Sequence, residues 1–338
     1  MKKLVRLIPF MIFCFLITFN TIGYPQSTIL VHPMEKSFPA QWDGGLIIDH
    51  TCLNFDSISL DAIENAQSDV KIHYAHTSHG SQITTGLGLI EGTNSSYSVS
   101  IGYASLPATE DTLCIFDGQA NNGGDTYITP DEYWEEESGV ALTQGTLDDN
   151  PSLTVSLWSW CTQLNSYSTA QVQSYLDTMT SLEEANPDVT FVYMTCNAQA
   201  DGSSGYNRWL NNEMIREYCI ENDKVLFDFA DLDSWHNGEQ NTYRYHEGST
   251  NYDVPLEHED FNGNEAGHTT YSSCEQKAKA FWWMVCELAG WDSPSESNTN
   301  PNNGSNPPID SLFSSGLIVA GVAAVVLIAA VAIYYRSS

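Results

Sequence analysis

The sequence predicts an α/β fold: three layers, α/β/α, around a central parallel sheet. Three observations carry this. Short apolar runs of strand character recur along the chain, and in its second half they alternate with helical-period segments of 15–20 residues. That alternation is the pattern of parallel strands joined by crossover helices. The run 71–86, KIHYAHTSHGSQITTG, passes from strand character into a turn of Ser, His and Gly and then into a helix start. Parallel sheets deliver reactive side chains at such strand ends. Finally, the stretch between the two atypical chain ends, 45–292, suits one domain.

In chain order, 24–44 is a weakly patterned lead-in. LIID (46–49) reads as a short strand, followed by His50 and Cys52. Residues 57–69, SISLDAIENAQSD, place Ile58, Leu60, Ile63 and Ala66 at helical spacing behind a serine cap. The strand 71–75 follows, then a helix from about Gln82. Between 91 and 150 the periodicity fades into Gly, Asn, Thr and Asp; one strand, TLCIF (112–116), is expected within a set of loops. Within them, 121–134 mixes carboxylates and aromatics, suiting a cation, a sugar rim or a plain solvated loop.

The second half is regular. Strands are expected at 152–158, 189–194 and 225–229. Helices are expected at 169–185 (capped by Ser168, with Val172, Tyr175, Leu176, Met179 and Leu182 on one face), 206–222 and 270–289. Residues 293–315 form a polar Pro/Asn/Ser-rich linker.

The two ends read as targeting segments. Residues 1–23 have a basic start and an apolar core, a signal peptide or an N-terminal anchor. Residues 316–335 are uncharged and long enough to span a bilayer, with Arg336 opening a short cytoplasmic tail, 336–338. The expectation is a cell-membrane protein with its domain outside. With 43 acidic against 12 basic residues, a net charge of −31, nucleic acid is excluded as a partner. Of eight cysteines, Cys14 lies in the signal segment, leaving an odd seven; Cys161 and Cys196 are candidates for a disulfide. No CxxC pair suggests a structural zinc site, and no cofactor is expected.

Nucleophilic catalysis needs a nucleophile, a base, a group that orients the base, and donors for the oxyanion. Ser78, at the strand-to-helix turn, is the preferred nucleophile and Ser81 the second choice. His268, just ahead of the last helix, is the expected base, with Glu265 three residues earlier to orient it. His76 and His79 flank Ser78 and are accessory candidates or, with His268, metal ligands. Asp260-x-Asn262-x-Asn264 has the start of a calcium loop but lacks glycine in sixth position. Trp158, Trp160, Tyr133 and Trp134 are either sugar-stacking or buried aromatics.

This order of elements resembles the SGNH (GDSL-type) hydrolases, esterases and lipases of flavodoxin-like three-layer fold. His76-Thr77-Ser78 stands in place of that family's Gly-Asp-Ser block. The strand end Leu157-Trp158-Ser159-Trp160 falls where its Gly-x-Asn-Asp block would, and Glu265-x-x-His268 matches its terminal Asp-x-x-His. The match runs from about Leu46 to Trp291. Markers IDHTC, HTSHGSQ, the strand end Trp158-Ser159-Trp160-Cys161, DFAD and AFWWM resemble an uncharacterised secreted branch of the group. The resemblance implies a serine esterase with Ser78, His268 and Glu265 as catalytic residues, acting on an ester such as an O-acyl group of a glycan. Thr77 departs from the family's Asp, and the oxyanion donors have no direct match; Gly118, Gln163 and Asn197 are candidates. A non-catalytic glycan- or cation-binding module on the same fold is the rival expectation.

Overall fold

The computed structural model describes residues 44–119 and 123–294. By contacts the chain divides into Met1–Ser37 and Phe38–Ser338, and every described residue lies in the second. The expected signal segment, the outer part of the linker and the expected membrane span fall outside the described residues. Among those that are described, no helix is long and apolar enough to cross a membrane.

The chain runs β1 (Leu46–Ile48), α1 (Leu60–Asp69), β2 (Lys71–His76), α2 (Ser81–Thr93), β3 (Val99–Gly102), β4 (Leu113–Asp117), α3 (Pro130–Tyr133), α4 (Glu137–Asp149) and β5 (Val155–Ser159). It continues with α5 (Thr169–Ala185), β6 (Thr190–Met194), α6 (Gly202–Glu221), β7 (Val225–Phe227) and α7 (Phe229–Ser234). Then come two small ribbons, β8 (Trp235–His236) with β9 (Glu239–Gln240) and β10 (Thr242–Glu247) with β11 (Thr250–Pro255), and finally α8 (Tyr271–Leu288). Seven strands form one sheet in the order β1-β7-β6-β5-β2-β4-β3, and every pairing in it is parallel. Helices α1, α2 and α8 pack on one another, as do α5 and α6. The three-layer α/β/α architecture is therefore present.

The strands β2, β4, β5, β6 and β7 are buried along almost their whole length, as a sheet covered on both faces requires. One polar residue in this core is fully accounted for. His73 is completely buried; one ring nitrogen meets Ser156 Oγ at 2.9 Å and the other the Gly118 carbonyl at 2.9 Å. Ser156 in turn meets Tyr133 Oη at 2.7 Å. Burial, only partly opposed by the bond to Gly118, holds His73 down at about 4, so it stays neutral in the core.

Local signals set the helix ends. Ser168 caps α5 in a reciprocal box with Gln171, and Ser59, two residues beyond the expected opening of α1, accepts from the Ala62 N–H. Within the loops expected between 91 and 150 the expected strand is present as β4, and β3, α3 and α4 form in addition. Their apolar periodicity is weak because α4 holds its place by backbone proximity: a Cβ on Gly139 would lie 2.2 Å from the Asp131 carbonyl oxygen. Tyr133, Trp134, Trp158 and Trp160 are buried; the three tryptophans pack edge-on in a chain that includes Tyr175, and Tyr133 meets Trp158 at a tilt. They form core, not a sugar rim. The expected Cys161–Cys196 disulfide is absent: both are free thiols, and Cys196 Sγ instead donates to the Cys161 carbonyl at 2.8 Å.

The closest helix contact is between α2 and α8, made possible by Gly86. A methyl there would meet the Cys274 carbonyl oxygen at 2.0 Å and the Ala278 Cβ at 2.8 Å. Gly86→Ala is expected to force α8 off the sheet at a cost of about 1–3 kcal/mol. Urea unfolding should show a lower midpoint with an unchanged slope.

Candidate functional site

The chain leaves β2 for β3 and β4 on one side, then crosses back to β5, β6 and β7 on the other. The carboxyl ends of β2 and β5 therefore diverge at a topological switch point, where open α/β sheets hold their ligands. The register places His76 beside Ser159, so two residues further on Ser78 stands level with Cys161. Ser78 Oγ lies 3.3 Å from Cys161 Sγ.

The central pair is Cys161 and His79. His79 Nδ1 is 2.9 Å from Cys161 Sγ, and its Nε2 is 2.8 Å from Gln199 Oε1. Gln199 settles the tautomer. Its Nε2 donates to Glu257 Oε1 at 3.0 Å and to the His268 carbonyl at 2.8 Å, so its oxygen must face His79. An amide oxygen only accepts; His79 Nε2 therefore carries hydrogen, and Nδ1 is the nitrogen that exchanges a proton with sulfur. Burial alone would push the Cys161 thiol up. The hydrogen bond and charge of His79, with bonds from Ser78 and Thr162, reverse this and hold it at about 6, against an ordinary 9.0. For His79, burial works downward, but the bond and charge of Cys161, the bond to Gln199 and the charge of Asp233 raise it above its ordinary value. Both shifts favour the charged forms, thiolate and imidazolium. Cys161 is half-buried, whereas the other six described cysteines are buried.

The backbone of Cys161 is pinned on both sides. Its N–H donates to Gln163 Oε1 at 2.7 Å, and its carbonyl accepts from Asn197 Nδ2 as well as from Cys196. Two oxyanion candidates are thus engaged elsewhere: Asn197 Nδ2 on that carbonyl, and the Gly118 N–H on the Tyr74 carbonyl at 3.0 Å. Gln163 has its oxygen committed, leaving its Nε2 as the remaining donor among the three candidates.

The expected triad residues are near one another without being joined. Glu265 Oε2 accepts the Tyr271 N–H at 2.7 Å, acting at the start of α8. The exposed His268 ring lies 5.0 Å, centroid to centroid, from that of His79, and its backbone is left-handed at φ 70. Such a conformation in a non-glycine residue persists only where its surroundings impose it. Here the His268 carbonyl is the acceptor for Gln199. Ser81 Oγ donates to the Ser78 carbonyl at 2.7 Å, which commits its hydroxyl to the turn. His76 is buried, its Nε2 3.1 Å from Asp117 Oδ1 and its Nδ1 donating to the Thr77 carbonyl at 2.7 Å. Asp260 of the calcium-like segment faces His258 Nδ1 at 3.6 Å and His236 Nε2 at 3.9 Å. Asp49, His50 and Asp231 bring ligand-type atoms within 4.8 Å of one another, but His50 Nδ1 already bonds Asp231 Oδ2 at 2.6 Å.

Cys161 entered the sequence reading as a disulfide candidate and as the end of the Trp-Ser-Trp-Cys marker, without a role in the site, and Gln199 did not enter it. The only available signal was a cysteine two residues past a buried strand, on the strand that pairs with the Ser-His turn. The alkylation of Cys161 by iodoacetamide, followed on its own peptide by mass spectrometry, should rise as pH is raised through about 6 and then level off. In His79→Gln the midpoint should move to about 8 or above, the range of an unassisted thiol. In comparisons with known proteins, no family model matches the chain and no curated protein is similar to it.

Proposed function

We propose that the chain is a thiol-dependent acyl-transfer hydrolase acting on esters or related acyl groups. The observation that carries this is the 2.9 Å approach of Cys161 Sγ to a His79 ring whose far nitrogen is held by Gln199. The Cys161 thiolate attacks the acyl carbonyl carbon, and the electron pair passes to the carbonyl oxygen. As the tetrahedral adduct collapses, His79 Nδ1–H protonates the departing alkoxide, leaving an acyl-thioester on Cys161. Neutral His79 then takes a proton from water, which attacks the thioester and releases the carboxylic acid and the thiolate. Gln163 Nε2 is the candidate oxyanion donor, and Ser78 Oγ–H, 3.3 Å away, steadies the thiolate.

A second reading keeps the serine esterase that the SGNH resemblance implies. It is favoured by the position of Ser78 at the end of β2 in the same crevice, with the His268 ring beside His79. It requires His268 to reach Ser78 and Glu265 to release the Tyr271 N–H. In either reading the expected export signal and C-terminal span would present the site at a cell surface, where O-acylated glycans are one source of such esters.

Hydrolysis of p-nitrophenyl acetate by the wild type, Cys161→Ala and Ser78→Ala separates the two. The thiol reading expects Cys161→Ala to lose about 10³-fold or more. Ser78→Ala should lose about tenfold, the worth of one hydrogen bond to a charged group. Fluorophosphonate labelling that vanishes in Ser78→Ala and persists in Cys161→Ala would transfer the assignment to the serine.

A further inference from the structure

Behind Gln199 lies a buried carboxyl that the reaction does not use. Glu257 follows β11 and is only 6% exposed. Its backbone N–H donates to the Ala198 carbonyl at 2.8 Å. Its Oε1 accepts from Gln199 Nε2 and from Thr269 Oγ1, each at 3.0 Å. On the other side of the same segment, Asp233 Oδ2 accepts the Ala198 N–H at 2.9 Å. Asp233 is paired through Oδ1 with Lys277 Nζ at 2.6 Å, and both of those side chains are wholly buried.

Residues 198 and 199 are thus held between two carboxyl groups, while one ammonium serves both. Lys277 is paired with Asp233 and acts on Glu257 through its charge; among the described residues no cation is paired directly with Glu257. A buried carboxyl without a countercharge is costly, and its retention calls for a specific task. The geometry indicates one. An acceptor at Glu257 and another at the His268 carbonyl take both hydrogens of the Gln199 amide. The amide oxygen is then the only face left for His79.

We propose that Glu257 is a positioning residue for the Cys161–His79 pair, acting through the Gln199 amide; this rests on the thiol reading above. Its acceptor oxygen keeps Gln199 from flipping, which keeps hydrogen on His79 Nε2 and turns Nδ1 to the sulfur. When ionised it also places a negative charge behind the imidazolium. The charged groups that act on it are Asp233 of α7 and Lys277 of α8; His79 and the His268 carbonyl meet it through the Gln199 amide. Burial and then the charge of Asp233 push the Glu257 carboxyl up, against the bonds from Gln199 and Thr269 and the charge of Lys277, to about 7. Orientation therefore operates at every pH, whereas the added charge operates only above about 7.

The test uses the full chain with iodoacetamide as probe, read at the Cys161 peptide from pH 5 to 9, together with the His79 imidazole titration by NMR and a thermal melt for each variant. Glu257→Leu removes the acceptor, and the Cys161 midpoint should rise by about 1–2 units. Glu257→Gln keeps an acceptor oxygen without the charge. Its Cys161 midpoint should stay within about half a unit of the wild type, while His79 loses its proton about half a unit or more earlier. A wild-type profile without an inflection below pH 8 overturns the pair itself and this proposal with it. A wild-type inflection near 6 that Glu257→Leu leaves in place, even with a lowered melt, overturns the role of Glu257 alone. Should Glu257→Leu fail to fold, the His79 titration in Glu257→Gln decides, and an unmoved value overturns the proposal.

Discussion

Where two neighbouring parallel strands send their chains in opposite directions, neither connection covers the gap between their carboxyl ends. In this protein that gap lies between β2 and β5, because the chain visits β3 and β4 before returning across β2. The reactive groups of the crevice are anchored to the two strands that border it and to β6 beside them. Ser78 and His79 come from the turn after β2, Cys161 from the turn after β5, and Gln199 from the segment after β6. The ladder registers fix where those turns stand relative to one another, since a one-residue slip would turn every buried side chain to the wrong face.

The Gln199 amide converts that placement into chemistry. A histidine beside a cysteine can share its proton from either ring nitrogen, and only one arrangement produces a thiolate with a ready acid next to it. The amide makes the choice because both of its hydrogens are already taken. The choice then depends on acceptors drawn from the last third of the chain. Glu257, Thr269 and the strained His268 carbonyl all sit in the segment between β11 and α8. The wholly buried Lys277–Asp233 pair joins α8 to α7 at the base of that segment. Removing one member of such a buried pair typically costs about 3–5 kcal/mol, so this part of the site cannot drift independently of the core.

Much of the scaffold was legible in the sequence. VTFVYM, TLCIF and VLFDF are apolar runs too short for helices, and the Ser168-capped helix has the bounds its face predicts. The elements that were not legible share a physical trait: their stability comes from contacts distant in sequence. Helix α4 is amphipathic only weakly and depends on the close approach at Gly139; the β10–β11 hairpin is held by Tyr245 and Tyr252 packing on Tyr206 and Trp209 of α6. The same trait separates the legible part of the site from the rest. The Ser-His turn after β2 announces itself in seven consecutive residues. Cys161 closes the Trp-Ser-Trp-Cys strand end, but nothing in that stretch says that its thiol meets a histidine, and its partner lies 82 residues away.

By itself, then, the sequence determined the layers, the parallel sheet, the turn at the end of β2 and the crevice to which that turn belongs. These follow from local periodicity and from the rule that parallel strands expose their carboxyl ends together. Tertiary structure alone decided which residues meet in that crevice and in which protonation state. A proton shared by sulfur and imidazole is set by burial and by the acceptor behind the ring. Both are properties of the space between β5, β6 and the loop before α8, not of any one stretch of chain.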